Sequence, residues 1–181
     1  MGESLAHEAL VDLGGRAGEG SHPPRILPVE ERIAVVSGGQ TGVDRAALDT
    51  ALDLGLPCGG WCPRGRRAED GPLPGRYPLR ETPTAAYPQR TEWNVRDSDG
   101  TLVLHRGRPR GGTALTLRLA RRYGRPALAV DLAKSPEAEA VRQWIARERI
   151  ARLNVAGPRE SEHPGIHGQA ARFLHDVLAH N

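Results

Sequence analysis

Lysine is almost missing from this chain. Lys134 is the only one among 25 basic residues. Positive charge is therefore carried by guanidinium groups, which suit forked recognition of phosphate and carboxylate better than a point-charge ammonium does. A GC-rich genome produces the same bias, so the positions of the arginines decide its meaning. Aromatic residues are also scarce, at 4%. That leaves a core of Ala, Val, Leu and Ile, and it removes the interleaved stacking rings of a single-strand nucleic-acid groove. No stretch approaches the ~18 apolar residues of a membrane span. The opening "MGESLAHEALVDLGGRAGEGSHPP" lacks the basic start and apolar centre of a secretory signal. Two cysteines, Cys58 and Cys62, are too few for a disulfide scaffold and fit reduced thiols. His105 and His163 lie on distant loops, so no zinc site, and no other metal site, is read here. The expectation is a cytoplasmic protein that engages neither membrane nor nucleic acid.

What is present is an alternation of apolar runs and helical patterns. Residues 1–30 are rich in Gly, Ala, Pro and Glu and are read as a flexible leader; 31–181 are read as one ligand-binding domain. "RIAVVS" is a continuous apolar strand, and "DRAALDTALDLG" carries Ala47, Leu48, Ala51 and Leu52 at helical spacing. "LPCGGW", "DGTLVLH", "PALAVDL" and "RLNVAG" read as further strands. "QRTEWNVRDS", "TALTLRLARRYG", "SPEAEAVRQWIARE" and "IHGQAARFLHDVLAHN" read as helices, the third with Ser135 as N-cap and Pro136 at its first position. Residues 61–90, with six prolines, read as a long functional loop. Strands that are apolar throughout belong to a parallel sheet covered on both faces. The fold expected is a single α/β domain, Rossmann-like and doubly wound, with helices on both sides of a mainly parallel sheet.

In such a sheet the ligand sits beyond the carboxyl ends of the strands. Three loops lead from a strand into a helix there: "SGGQTG", "RGRPRGGT" and "GPRESEHPG". Each helix start offers unpaired N–H groups and the positive end of a dipole. Gly38, Gly39 and Gly42 are read as a tight turn around an anion, with Gln40 and Thr41 adding side-chain hydrogen bonds; close helix–strand packing is the other reading of those glycines. The spacing is neither a Walker loop, having no lysine, nor the G-x-G-x-x-G dinucleotide fingerprint. Arg106, Arg108 and Arg110 alternate before Gly111, Gly112 and Thr113 and would fan over one face. Arg64, Gly65, Arg66 and Arg67 form a second basic cluster. Ser161 either meets the ligand or caps the last helix.

Acid–base candidates are Asp44, Glu69, Asp70, Glu92 and Asp97, but no nucleophile–base arrangement is legible and no catalytic residue is assigned. Asp44 stands in the first turn of its helix, where the dipole favours a carboxylate and where that carboxylate would repel a bound phosphate. "DSDG" at 97–100 reads as a turn, because the later ligands of a calcium loop are missing.

Five blocks in order, "SGGQTGVDRAALDTAL", "GGWCPRGRRAEDGPLPGRYPL", "QRTEWNVRDSDGTLVL", "GGTALTLRLARRYGRP" and "LNVAGPRESEHPGI", resemble the molybdenum cofactor carrier proteins. These are a circularly permuted branch of the YpsA-like proteins in the SLOG/LOG-type Rossmannoid superfamily. The resemblance spans residues 31–178. It implies a homo-oligomer, dimer or tetramer, that holds molybdenum cofactor, a phosphate-bearing pterin with a dithiolene-held metal, without turning it over. It also implies that a molybdoenzyme or a cofactor-biosynthesis protein is the exchange partner. Gly38, Gly39, Gln40, Thr41 and Gly42, then Arg64, Gly65 and Arg66, then Gly111, Gly112 and Thr113 match the motif positions and would line the small-molecule anion site, and Trp61 or Trp93 would either stack on the pterin or sit in the core. The wider superfamily also contains nucleotide phosphoribohydrolases and sensors, which makes a nucleotide the alternative ligand and N-glycosidic hydrolysis the alternative activity. In those hydrolases a glutamate follows the "GGT" by one turn, whereas Leu115, Thr116 and Leu117 occupy that region here.

Overall fold

A computed structural model describes residues 32–179. The leader read at 1–30 lies outside the described residues. Six parallel strands form one sheet in the order β5-β2-β1-β8-β6-β7. They are β1 (Ala34–Val36), β2 (Cys58–Cys62), β5 (Leu79–Glu81), β6 (Gly100–His105), β7 (Ala127–Asp131) and β8 (Arg152–Ala156). A two-stranded hairpin, β3 (Arg67–Ala68) and β4 (Gly71–Pro72), stands apart from it. The helices are α1 (Val43–Asp53), α2 (Tyr87–Arg96), α3 (Gly111–Arg122), α4 (Ala138–Arg147) and α5 (Ile166–Leu178). The doubly wound α/β expectation holds: α1, α4 and α5 pack together on one face, and α2 and α3 pack together on the other.

Strand β6 is buried along its whole length because both faces are covered, which is why its sequence shows no polar alternation. Leu102 and Leu104 face the main core with Val35, Leu153, Val155, Ile166 and Leu174. Thr101, Val103 and His105 point the other way by strand alternation. Fully burying each such Leu or Val stabilises the fold by roughly 1.5–3 kcal/mol. Small residues carry the α1 contact: Ala46, Ala47 and Ala51 are fully buried, letting the helix lie close to the sheet and to α5.

Two local expectations are corrected. Residues 61–90 are not a structureless loop. They contain the end of β2, the hairpin and the edge strand β5, and Leu73, Tyr77 and Leu79 form a second small core with Leu48 and Cys62. The prolines shape turns between short ladders. Ser135 does not cap α4, and Pro136 is not in its first turn. Residues Leu132–Lys134 make a 3-10 turn that ends on Ser135 in the left-handed region, so α4 begins later, with Glu137 as its N-cap. The side chain that does cap here is Asp131, which accepts from the Ala133 N–H at 3.0 Å.

Candidate functional site

The three glycine-bearing loops leave β1, β8 and β6, which are neighbours in the sheet, so they meet side by side at its carboxyl edge. Chain direction diverges here: β1 feeds α1 towards β2 on one side, while β6 feeds α3 towards β7 on the other. That divergence is the topological switch at which open parallel sheets bind ligands. The cleft between the loops has two lobes that share Gly111, Thr113 and Glu162 as lining residues.

The larger lobe is about 650 Å³, walled by His105, Arg106, Arg108, Pro109, Arg110 and His163. All three alternating arginines therefore reach one cavity. Arg106 is held in place, donating through Nε to Gln169 Oε1 at 2.7 Å and through Nη1 to the Pro164 carbonyl at 3.1 Å. Arg108 and Arg110 are exposed. The smaller lobe is about 280 Å³, walled by Tyr87, Arg90, Thr91, Leu115, Arg118 and Arg159. The Arg159 guanidinium lies 5.2 Å from the centre of the Tyr87 ring.

Helix α3 starts between the lobes. Its first short-range bond runs from the Ala114 N–H to the Arg110 carbonyl at 3.1 Å, and Arg110 gives no side-chain cap. Among the described residues, none accepts from the N–H groups of Gly111, Gly112 or Thr113. Helix α5 is different. The Glu160 carboxylate accepts from the N–H groups of Gly165 and His167, the latter at 2.9 Å, so that helix start is filled. Ser161 does not cap it; its hydroxyl and N–H both donate to Glu69.

The first glycine loop has one of the chain's own carboxylates beside it. Asp44 is 3% exposed. It accepts from Arg90 Nη1 at 2.8 Å, and the backbone N–H groups of Gln40 and Gly157 also favour its charged form. Burial pushes its carboxyl above the usual carboxylate range, opposed by the Arg90 charge and these hydrogen bonds. Gly38 lies directly beneath Arg90, so a Cβ there would overlap the guanidinium. Thr41 donates to Glu69 and accepts from the Glu160 N–H, and Gln40 Oε1 accepts from the N–H groups of Thr41 and Glu69 at 3.1 and 2.9 Å. The hairpin thus folds over the loop, with Arg45 paired to Asp70 beside it. The glycines allow close packing here, Gly38 against Arg90 and Gly42 against the backbone of residues 158–160, and the carboxylate that stands beside the turn is Asp44.

Arg64, Gly65 and Arg66 line neither lobe. Arg66 donates to four backbone carbonyls, Leu73 and Leu79 at 3.2 Å, Pro74 at 2.9 Å and Tyr77 at 3.0 Å, clamping the segment that builds the second core. Arg66→Ala should therefore lower stability by about 1–3 kcal/mol and leave cleft binding unchanged, a pair of outcomes checked by a denaturant midpoint and a titration on the same variant. Trp61 and Trp93 also line neither lobe. They pack edge to face with ring centres 4.7 Å apart, and the Trp61 indole donates to Asp97 at 2.8 Å.

Sequence reading missed Tyr87, Arg90, Arg118 and Glu162, which reach the cleft from α2, α3 and the β8–α5 loop. Nothing in their local spacing marks them. A physical mark exists in three dimensions: among the described residues, the buried side-chain atoms without a partner are Gln40 Nε2, Arg45 Nε, Arg90 Nε and His105 Nδ1, all at this edge of the sheet. Unpaired buried polar atoms are costly and gather where function requires them. Among the described residues, no group of three or more His, Cys, Asp or Glu is placed to hold a metal ion, and no helix is long and apolar enough to cross a membrane.

The model of the circularly permutated YpsA SLOG family matches residues 35–178. A crystal structure of a putative molybdenum carrier protein from Syntrophus aciditrophicus SB superposes with a TM-score of 0.77 at 44% sequence identity, covering 83% of this chain and 97% of that one. No curated protein matches the chain.

Proposed function

The chain belongs to the circularly permutated YpsA SLOG family, and from that premise we propose that it is a binding protein for molybdenum cofactor, holding the cofactor by its anionic groups at the start of α3. The observation that carries this reading is the unfilled helix start at Gly111, Gly112 and Thr113, set between arginine-lined lobes, when Glu160 already fills the start of α5 and a buried carboxylate, Asp44, stands in the first turn of α1. A helix N-terminus flanked by guanidinium groups is an anion site. The cofactor's metal is cargo, held by the cofactor's own dithiolene, so the protein needs no ligand set of its own for it. Arg106, Arg108 and Arg110 would meet the anionic groups, and His105 Nδ1 is a further polar group at the floor of the same lobe. Exchange with a molybdoenzyme or a biosynthetic protein, and assembly into a homo-oligomer, belong to the same proposal.

The test is a titration of the pure protein with freshly released cofactor, with AMP and NAD as competitors, on the wild type and on Gly112→Asp. A Cβ at Gly112 would meet nothing within 4 Å, and its backbone is not in the left-handed region. An aspartate in the first helical turn also favours the helix dipole, so stability should hold or rise by a few tenths of a kcal/mol. The same carboxylate would face the bound anion, so affinity should fall about tenfold or more. Undiminished cofactor binding by a folded Gly112→Asp protein would remove α3 from the site. Displacement by AMP at equal concentration would turn the reading towards a nucleotide.

A further inference from the structure

We infer that the molecule held in this cleft carries its phosphate in the middle, as a pyrophosphate bridging two ring-bearing ends. The inference rests on the cofactor-binding reading above and names the form of the cofactor: a pterin joined through pyrophosphate to a nucleotide.

The anion-holding element stands at the junction of the lobes, not at the far end of either. Gly111 and Thr113 line both, and α3 starts there with N–H groups that no described residue accepts from. A terminal phosphate placed there would let the rest of its molecule enter one lobe only. Both lobes are built to hold something. The larger has Arg108 and Arg110 at its mouth and His105 at its floor, 8% exposed with Nδ1 unpartnered. This suits the bulkier, charged end. The smaller has Tyr87 beneath the Arg159 guanidinium, the apolar side of Leu115, and the hydroxyls of Thr91 and Thr116, which donate to the Tyr87 and Gly112 carbonyls and keep their acceptor capacity. An aromatic face, an apolar wall and hydroxyl groups are what a neutral heterocycle such as a nucleobase uses. Arginines stand on both sides of the junction, Arg110 towards one lobe and Arg118 towards the other, so two adjacent negative charges are met from both directions. Among the described residues, Glu162 is the one carboxylate that lines both lobes; Asp44 lines the smaller alone and is paired with Arg90.

Two exposed arginines, one per lobe, allow a test that leaves the fold intact: Arg108→Glu in the larger and Arg118→Glu in the smaller. Affinities of wild type and both variants would be measured for four probes, namely the pterin cofactor with a terminal phosphate, the same cofactor in its pyrophosphate-linked nucleotide form, NAD and AMP. Thermal midpoints would confirm that the variants fold. The expected result is that the linked form binds the wild type about tenfold or more tightly than the terminal-phosphate form, and that each variant weakens the linked form. The terminal-phosphate form should respond to only one of the two. Equal affinity for both pterin forms, or a linked form indifferent to Arg118→Glu, would overturn the two-lobe inference and leave the cofactor reading standing. If neither pterin form binds, the cofactor reading falls; NAD bound with sensitivity to both variants would then keep the pyrophosphate geometry, and its absence would overturn that too.

Discussion

Asp44→Ala is expected to lower stability by about 3–5 kcal/mol, the cost of leaving a buried charge without its partner. The Arg90 side chain is nearly enclosed and pairs with Asp44 at 2.8 Å. Its Nε is already unpartnered, so it has no second group to turn to. The substitution would also remove the carboxylate whose charged form the N–H groups of Gln40 and Gly157, on the β1 and β8 loops, favour. Asp44→Asn keeps the shape and one acceptor, so it should cost less than alanine. Removing both members in Asp44→Ala/Arg90→Ala should recover part of the loss, because the stranded charge goes with its partner. Denaturant midpoints at unchanged m-value would measure all three. A loss below about 1 kcal/mol for Asp44→Ala would mean that the ion pair does not organise these loops.

The second large effect is expected at Gly42. Its backbone has φ +77 and ψ −129, close to a region that only glycine occupies without strain. A Cβ there would overlap the Pro158 carbonyl oxygen and approach the Arg159 carbonyl carbon and the Glu160 nitrogen to 2.8 Å. All three obstacles are backbone, and none can rotate aside. Strain of roughly 1–3 kcal/mol for the dihedral adds to overpacking of roughly 1–3 kcal/mol, so Gly42→Ala should yield little folded protein. Gly112→Ala, with open space around its Cβ, should fold normally. If Gly42→Ala melts within a few degrees of the wild type, the β1 and β8 loops are less tightly joined than this geometry requires.

These two cases mark how far the sequence could be read. The strands at 34–36, 100–105 and 152–156 were legible because the middle of the sheet is covered on both faces, and the edge strand at 127–131 was legible from its apolar run although Ala127 and Ala129 are exposed. The glycine turn after β1 was legible too, as was the possibility that its glycines serve packing. Which charge folding sets beside it was not. Asp44 was visible as a conflict with phosphate, but its partner Arg90 is 46 residues away on α2, and no spacing rule joins them. Arg66 shows the converse. A basic cluster beside a glycine looks like a rim for ligands, yet folding gives its donors to four carbonyls of its own loop. Ser161 likewise stands before a helix as a cap would, and the Glu69 carboxylate takes it.

By itself, then, the sequence determined the alternation of strands and helices, the parallel sheet and the edge at which its glycine loops gather, because those follow from local periodicity and from the burial that periodicity implies. Only the tertiary structure decided which loop remains open. Three similar strand-to-helix turns meet at that edge; Glu160 fills one, and Asp44 stands beside another with Arg90 as its partner. The start of α3 stays unfilled because, among the described residues, no carboxylate accepts from its N–H groups. Occupancy of an anion site depends on which charges folding brings together, and strand order and loop packing settle that.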